Sequence, residues 1–211
     1  MFYATDARDR TLLPHDPFKA IVAPRPIGWI STRSPEGWIN LAPYSFFNAI
    51  STRPPLVMFS SEGAKDAATS AEASGEFVCN LATHALRHHM NATSAPLPRG
   101  TSEFTHAGLT EAACHLVKAP RVAESPAALE CMVIDVIRPK QIGGSDAGTI
   151  MVIGQVVGFH IDEAYVIDGR FDLVKAGTIS RAGYADYVQA ETVFSIVRPA
   201  GGGGSEGSGP A

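Results

Sequence analysis

The sequence predicts a mainly β protein with short helices, and three observations carry that expectation. Short β-branched or aromatic runs bounded by Pro, Gly and Ser recur along the chain, the pattern of strands separated by turns. No regular alternation of strand and helix appears, which argues against a doubly wound parallel sheet. A length of 211 residues suits one sizeable core, so a single domain is expected over residues 1–199.

The elements follow in order. Residues 1–26 are turn-rich, with Pro14, Pro17, Pro24 and Pro26 around "FKAIVA", an extended lead into a sheet. Three strands follow in "IGWIST", "GWINLAP" and "PPLVMFSS". Pro35 and Gly37 between the first two mark a short hairpin loop. "KDAATSAEASG" is Ala-rich and ends in Gly75, as a short helix with a glycine stop does. "EFVCNLAT" is the next strand, "HALRHHMNATSAP" a second short helix, and 95–128 is mostly loop. Two long strands, 129–142 and 149–162, are joined by "GGSDAG" and are apolar on both faces; that suits a barrel wall covered by helices or by a partner subunit. A loop and a last ordered piece occupy 163–198, and residues 200–211 are a flexible Gly/Ser-rich tail.

Charge and motifs exclude several classes. Seventeen Lys and Arg stand against 21 Asp and Glu, a net charge of -4, so a broad nucleic-acid footprint is not expected. The longest apolar run, Thr149 to Phe159, is too short for the roughly 20 residues of a membrane span. The N-terminus lacks a basic start and apolar stretch, so a cytoplasmic protein is expected. Cys79, Cys114 and Cys131 are widely spaced and odd in number, which disfavours a disulfide framework or a dithiol redox centre. Any redox chemistry must come from a bound cofactor. The Rossmann glycine fingerprint, the P-loop, the Gly-x-Ser-x-Gly elbow and His-Glu-x-x-His are all absent.

Two stretches offer ligand chemistry. "FSSEGAKDA" places Ser60 and Ser61 at a strand end and Lys65 at a helix start, where hydroxyls, backbone N–H groups and a cation can converge on one anion; an N-cap with an exposed lysine gives the same pattern. In residues 25–48, Arg25, Ser31, Thr32, Asn40, Ser45 and Asn48 alternate with Pro26, Trp29, Phe46 and Phe47, a mixture suited to a flat, partly polar ligand. His84 and His88 are four apart, a spacing for a solvated helix face or a metal pair with no third ligand in sequence. His160 ends a strand and suits a structural or a site role. Asp162 with Glu163, and Asp168 with Asp172, read as turn residues.

"RPIGWIST", "INLAPYSFFNAIS", "PPLVMFSS" followed by "KD", "GEFVCNLAT", and "GQVVGFHID" with "DGR" together resemble the flavin reductase-like, FMN-binding split-barrel family, the flavoredoxin group. The likeness runs in order from about Arg25 to Tyr187. It implies an antiparallel six-stranded split barrel of Greek-key type, forming a homodimer with FMN near the subunit interface. By the resemblance, Asn40 to Asn48, Leu41 among them, lie along the isoalloxazine, with Ala42, Pro43, Tyr44 and Ser45 at its polar edge. Arg25, Ser31, Thr32, Ser60, Ser61 and Lys65 are then the phosphate and ribityl candidates, and Arg181 lies near the flavin. Ala67 stands where the family often has Thr, and Ala182 where part of a Gly pair is expected after Arg181.

The implied activity is that of an NAD(P)H-dependent flavin reductase, with NADH or NADPH as donor and a monooxygenase or other redox protein as acceptor. The alternative of another class is an FMN-containing electron carrier reduced by another protein, without its own nicotinamide site. No metal site and no catalytic side chain are assigned.

Overall fold

A computed structural model describes residues 1–98, 100–197 and 199. Seven strands form its main sheet: β1 (Gly28–Arg33), β2 (Ile39–Tyr44), β3 (Phe47–Thr52), β4 (Pro55–Glu62), β5 (Glu76–Leu81), β6 (Ala127–Ile137) and β7 (Thr149–Ile161). All neighbours are antiparallel, in the order β2-β1-β5-β6-β7-β4-β3. The two edge strands, β2 and β3, are consecutive in the chain and separated only by Ser45 and Phe46. Three Cα steps reach at most about 11 Å, so the sheet has to curl until its edges meet. Those edges share no ladder, and the barrel is split there.

Local chemistry holds the curl. The Phe46 carbonyl accepts from the Ser60 N–H at 2.8 Å. The Phe47 ring lies over Gly28, where a Cβ would come within 2.6 Å of it; glycine lets a side chain of one edge reach across to β1. Inside the curl, Ile30, Phe59, Phe77, Cys131 and Val152 form the main core. Helix α2 (Asp66–Ser74), which follows α1 (Phe18–Ile21), packs Ala67, Ala68 and Ala71 against it. Their small side chains allow the helix close to the strands, and each fully buried Phe adds about 1.5–3 kcal/mol of apolar burial. Gly75 ends α2 at φ 74°, donating its N–H to the Ala71 carbonyl, as its place after the Ala-rich run predicts.

Side chains of opposite parity face outward. Trp29 and Leu41 lie under α3 (Arg87–Ala92) and α4 (Glu103–Ala107), packed with Met90 and Phe104. The Trp29 indole donates to Thr93 Oγ1 at 2.9 Å, which ties the end of α3 to β1.

The mainly β split barrel of antiparallel strands is as expected, with seven main strands in place of six. The added one is β3. Among the described residues it is an edge strand paired to β4 alone, with a bulge between Ala49 and Ser51 and with Asn48, Ala49 and Ile50 exposed, so no alternation of apolar residues marks it. β6 stops at Ile137 rather than at 142, because Pro139 cannot continue the ladder and Lys140 bridges Asp146 to close the turn. The expected loop at 95–128 holds α4 and the paired pieces Glu111–Ala112 and Arg121–Val122. Among the described residues no helix is long and apolar enough to cross a membrane. The tail at 200–211 lies outside the described residues.

Candidate functional site

Where the barrel splits, a cavity of about 580 Å³ opens. One side is the β2 edge, with Asn40, Ala42, Pro43 and Tyr44, continuing into Ser45 and Phe46. Ser60 and Glu62 of β4, with Lys65 at the N-cap of α2 and Asp66 and Ala67 in its first turn, complete another. The segment Thr93 to Leu97 after α3, Lys19 of α1 and Glu103 of α4 close it. Seven of the expected residues therefore meet at one place: Asn40, Ala42, Pro43, Tyr44, Ser45, Ser60 and Lys65.

The polar geometry is specific. Asn40 donates from Nδ2 to Glu103 Oε1 at 3.0 Å, and the Leu41 N–H donates to Glu103 Oε2 at 3.0 Å. Asn40 Oδ1 is buried without a partner among the described residues. Burial pushes the Glu103 carboxyl above its ordinary range, against the opposing pull of the Leu41 N–H and the Asn40 amide. Burial also pushes the Tyr44 phenol up to about 12; a hydrogen bond with the Ser61 hydroxyl opposes the rise, and the Asp66 and Glu103 charges add to it. Tyr44 thus stays protonated at neutral pH. Lys19 Nζ sits 5.6 Å from the centre of the Phe46 ring. Among the described residues no side chain caps α2, whose N-cap position is Lys65. Its first-turn N–H groups, beside Ser60 and the Lys65 ammonium, form a set of donors suited to an anion.

The other expected residues lie elsewhere. Arg25 is buried and donates to the carbonyls of Lys19, Val22 and Ala182, holding α1 against the C-terminal strand Ile179–Arg181. Ser31 is buried between the Pro120 carbonyl and the Asn80 amide. Thr32 is fully buried with its hydroxyl unpartnered among the described residues, and Leu41 is in the outer core. Ser61 faces inward and donates to the Gly63 carbonyl at 2.9 Å. Asn48 is exposed and accepts from the Ala49 N–H. Arg181 donates to the Tyr184 carbonyl and stacks over Tyr187 at 4.5 Å.

Sequence reasoning missed Lys19, Glu103 and the 93–97 segment. Lys19 carries no readable signal, since "FKAIVA" reads as an extended lead. Glu103 had one: Ser102 and Gly108 bracket α4, and Gly108 adopts φ 66° as a C-cap, a start and stop pattern hidden within a polar stretch.

A second polar cluster lies away from the cavity. Cys114, Glu130 and His160 place ligand-type atoms within 4.8 Å of one another. Glu130 accepts from the N–H groups of His115, Leu116 and Val117 at 2.8, 2.6 and 3.0 Å, and sits 2.6 Å from His160 Nε2. Those four partners fill the roughly four acceptor positions of a carboxylate, which makes Glu130 an anchor for the loop rather than an open ligand. Burial, and then the Glu130 charge, push the Cys114 thiol up to about 12, so it stays a thiol. His160 is thereby structural in its contacts. Asp162 and Asp172 accept from the N–H groups of Ala164 and of Val174 and Lys175, as turn residues do. His84 precedes α3, which starts at Arg87, so the His84 and His88 pair does not share one helix.

Comparison with known proteins agrees with this architecture. A protein of Halalkalibacterium halodurans is 36% identical over 183 residues, covering 84% of this chain and 87% of its own length. The crystal structure of nitrilotriacetate monooxygenase component B from Bacillus cereus superposes with a TM-score of 0.84 at 28% identity, over 93% of this chain and 98% of that one. Flavoredoxin of Desulfovibrio vulgaris (Miyazaki F) shares the fold, with a TM-score of 0.77 at 21% identity over 95% and 100% of the two chains. The model of the flavin reductase like domain matches residues 22–172. With its curled antiparallel sheet and a cleft at the split, the chain belongs to the flavin reductase like domain family.

Proposed function

We propose that the chain, as one domain over 1–199, is an FMN-dependent NAD(P)H:flavin oxidoreductase of the cytoplasm. The observation that carries this reading is the convergence, at the barrel split, of a strand edge and an uncapped helix start. The β2 edge presents backbone and side-chain polar groups from Asn40 to Ser45, and α2 begins just after its N-cap Lys65, which lines the same cleft as Ser60. The fit to FMN rests on the chemistry of these donors: one end of the cleft suits a phosphate, and the other carries the unpartnered buried Asn40 oxygen. FMN, when bound, supplies the hydride chemistry between a nicotinamide and an acceptor.

The residues divide the work. Lys65, Ser60 and the first-turn N–H groups of α2 hold the phosphate. Asn40 and the backbone of Ala42, Pro43 and Ser45 orient the ring edge, while Tyr44, protonated and hydrogen-bonded to Ser61, forms part of the wall. Ser31, Leu41 and Ser61, with Thr32 buried beside them, pack behind the strands that carry these groups, and Arg25 holds α1, which carries Lys19, against the C-terminal strand. Six apolar residues of β6 and β7, Met132, Ile134, Ile137, Val157, Phe159 and Ile161, are 37% to 62% exposed. That much apolar surface on two adjacent strands suits burial against a second copy, a homodimer in which Asn48 and Arg181, outside the cleft of their own chain, reach toward the partner's flavin. The acceptor is a monooxygenase or other redox protein, or free flavin.

Titration of the apoprotein with FMN tests the site. Saturable quenching of flavin fluorescence is expected, and Lys65→Ala weakens binding about tenfold, the worth of one charge-assisted hydrogen bond. Wild-type protein that leaves FMN fluorescence unchanged overturns the reading, and unchanged affinity in Lys65→Ala removes the phosphate assignment.

A further inference from the structure

Helix α3 stands between two clefts. Thr93 and Ser94, just past its end, line the candidate flavin cleft. His84, Arg87, His88 and Asn91 line a separate cavity of about 490 Å³. Asn91 and Thr93 are two residues apart, so the clefts abut within about 7 Å along the chain. The second cavity is floored by buried Met90 and Ile179, and Tyr187 to Gln189 and Glu191 complete its lining. Its volume lies in the range of small-molecule sites.

The basic part of the lining has a defined chemistry. Arg87 donates from Nη1 to the His84 carbonyl at 2.7 Å, and the same nitrogen lies 3.4 Å from His84 Nδ1. A guanidinium only donates, so Nδ1 is the acceptor and a neutral His84 carries its proton on Nε2, as a donor. The other N–H groups of Arg87 have no partner among the described residues, and His88 is exposed one residue on. A fixed cation beside His84 repels a metal ion and attracts an anion. Tyr187, with one ring face covered by Arg181, and Val188, 40% and 44% exposed, supply a flat and apolar surface, and Glu191 supplies an acceptor for hydroxyl groups. Anion donors, an apolar face and a hydroxyl acceptor together match phosphate, base and ribose.

We propose that this second cleft binds a nucleoside diphosphate group, the adenosine diphosphate half of a nicotinamide dinucleotide whose nicotinamide enters the adjoining flavin cleft. The nucleotide site stands on the cleft itself; its assignment to the nicotinamide donor rests on the flavin reductase reading. Arg87 and His88 bind the phosphates, with His84 Nε2–H as a further donor.

The test is titration of the FMN-loaded protein with ADP, followed by NMR of the histidine imidazole protons. Saturable shifts of the His84 and His88 resonances are expected, and Arg87→Ala, at an exposed position, weakens ADP about tenfold while FMN affinity stays unchanged. The same variant raises KM for the nicotinamide donor with little change in kcat. Imidazole resonances unmoved by millimolar ADP, or ADP affinity unchanged in Arg87→Ala, overturn the site. Failure of FMN to bind while ADP still shifts these resonances sinks the flavin reading alone and leaves the nucleotide site standing.

Discussion

Glu103 and Glu130 are two carboxylates taken almost fully out of water, at 7% and 1% exposure, yet their environments drive them in opposite directions. At Glu103 burial prevails, because the Leu41 N–H and the Asn40 amide do not offset it, and the carboxyl is raised. At Glu130 burial is again the largest influence, but the N–H groups of His115 and Leu116, the His160 ring and the Val117 N–H together outweigh it and hold the carboxyl below its ordinary 4.5. Donor count, with the Asp66 charge adding to the rise at Glu103, separates the two. The saturated group is a knot that fixes a loop outside the cavity, and the undersupplied one lines the cavity, where a ligand has room to complete its surroundings.

Removing the knot is the strongest way to break this comparison. Glu130→Ala leaves three backbone N–H groups without their acceptor, and a loss on the order of 3–5 kcal/mol is expected. A fall in the urea midpoint at unchanged slope measures it; a loss under 1 kcal/mol means the loop finds other partners.

pH sharpens the comparison next. Since the folded state lowers the Glu130 pKa, its contribution is present above 4.5 and is lost as pH falls through the lower folded value. Glu103 has the reverse sign: its contribution is most favourable below 4.5 and declines as pH rises toward its raised folded value. Stability measured between pH 3 and 7 should lose part of its acid-side fall in Glu130→Gln. In Glu103→Gln the opposing decline should vanish, leaving the variant within about 1 kcal/mol of wild type at neutral pH. Identical pH profiles for both variants would mean the two sites do not differ as described. The smallest expected effect on stability is that of Lys65→Ala and Arg87→Ala, both at exposed positions, where surface substitutions stay within about 0.5 kcal/mol and only ligand affinity moves.

Legibility in the sequence followed the same divide. Strands such as β4 were plain because Pro and Ser bracket an apolar run, and α2 was plain because Gly75 supplies the left-handed stop. β3 was hidden, being an edge strand whose exposed residues need no alternation. The β2 edge of the site could be read from the tight grouping of Asn, Pro, Tyr and Ser at 40–45, whereas Glu103 and Lys19 reach it only through the tertiary curl. Arg25 shows the converse: a basic residue beside a candidate site that the fold uses to clamp carbonyls. Glu130 gave no sign in sequence, because its partners are backbone N–H groups 13 to 15 residues away.

Anaerobic stopped-flow absorbance of the FMN-loaded protein, mixed with NADH or NADPH, tests the central claim most directly. The account predicts rapid bleaching of the flavin band with at least one of the two nucleotides. A bound flavin that stays oxidised with both contradicts a nicotinamide-dependent reductase and makes the protein an electron carrier reduced by another protein.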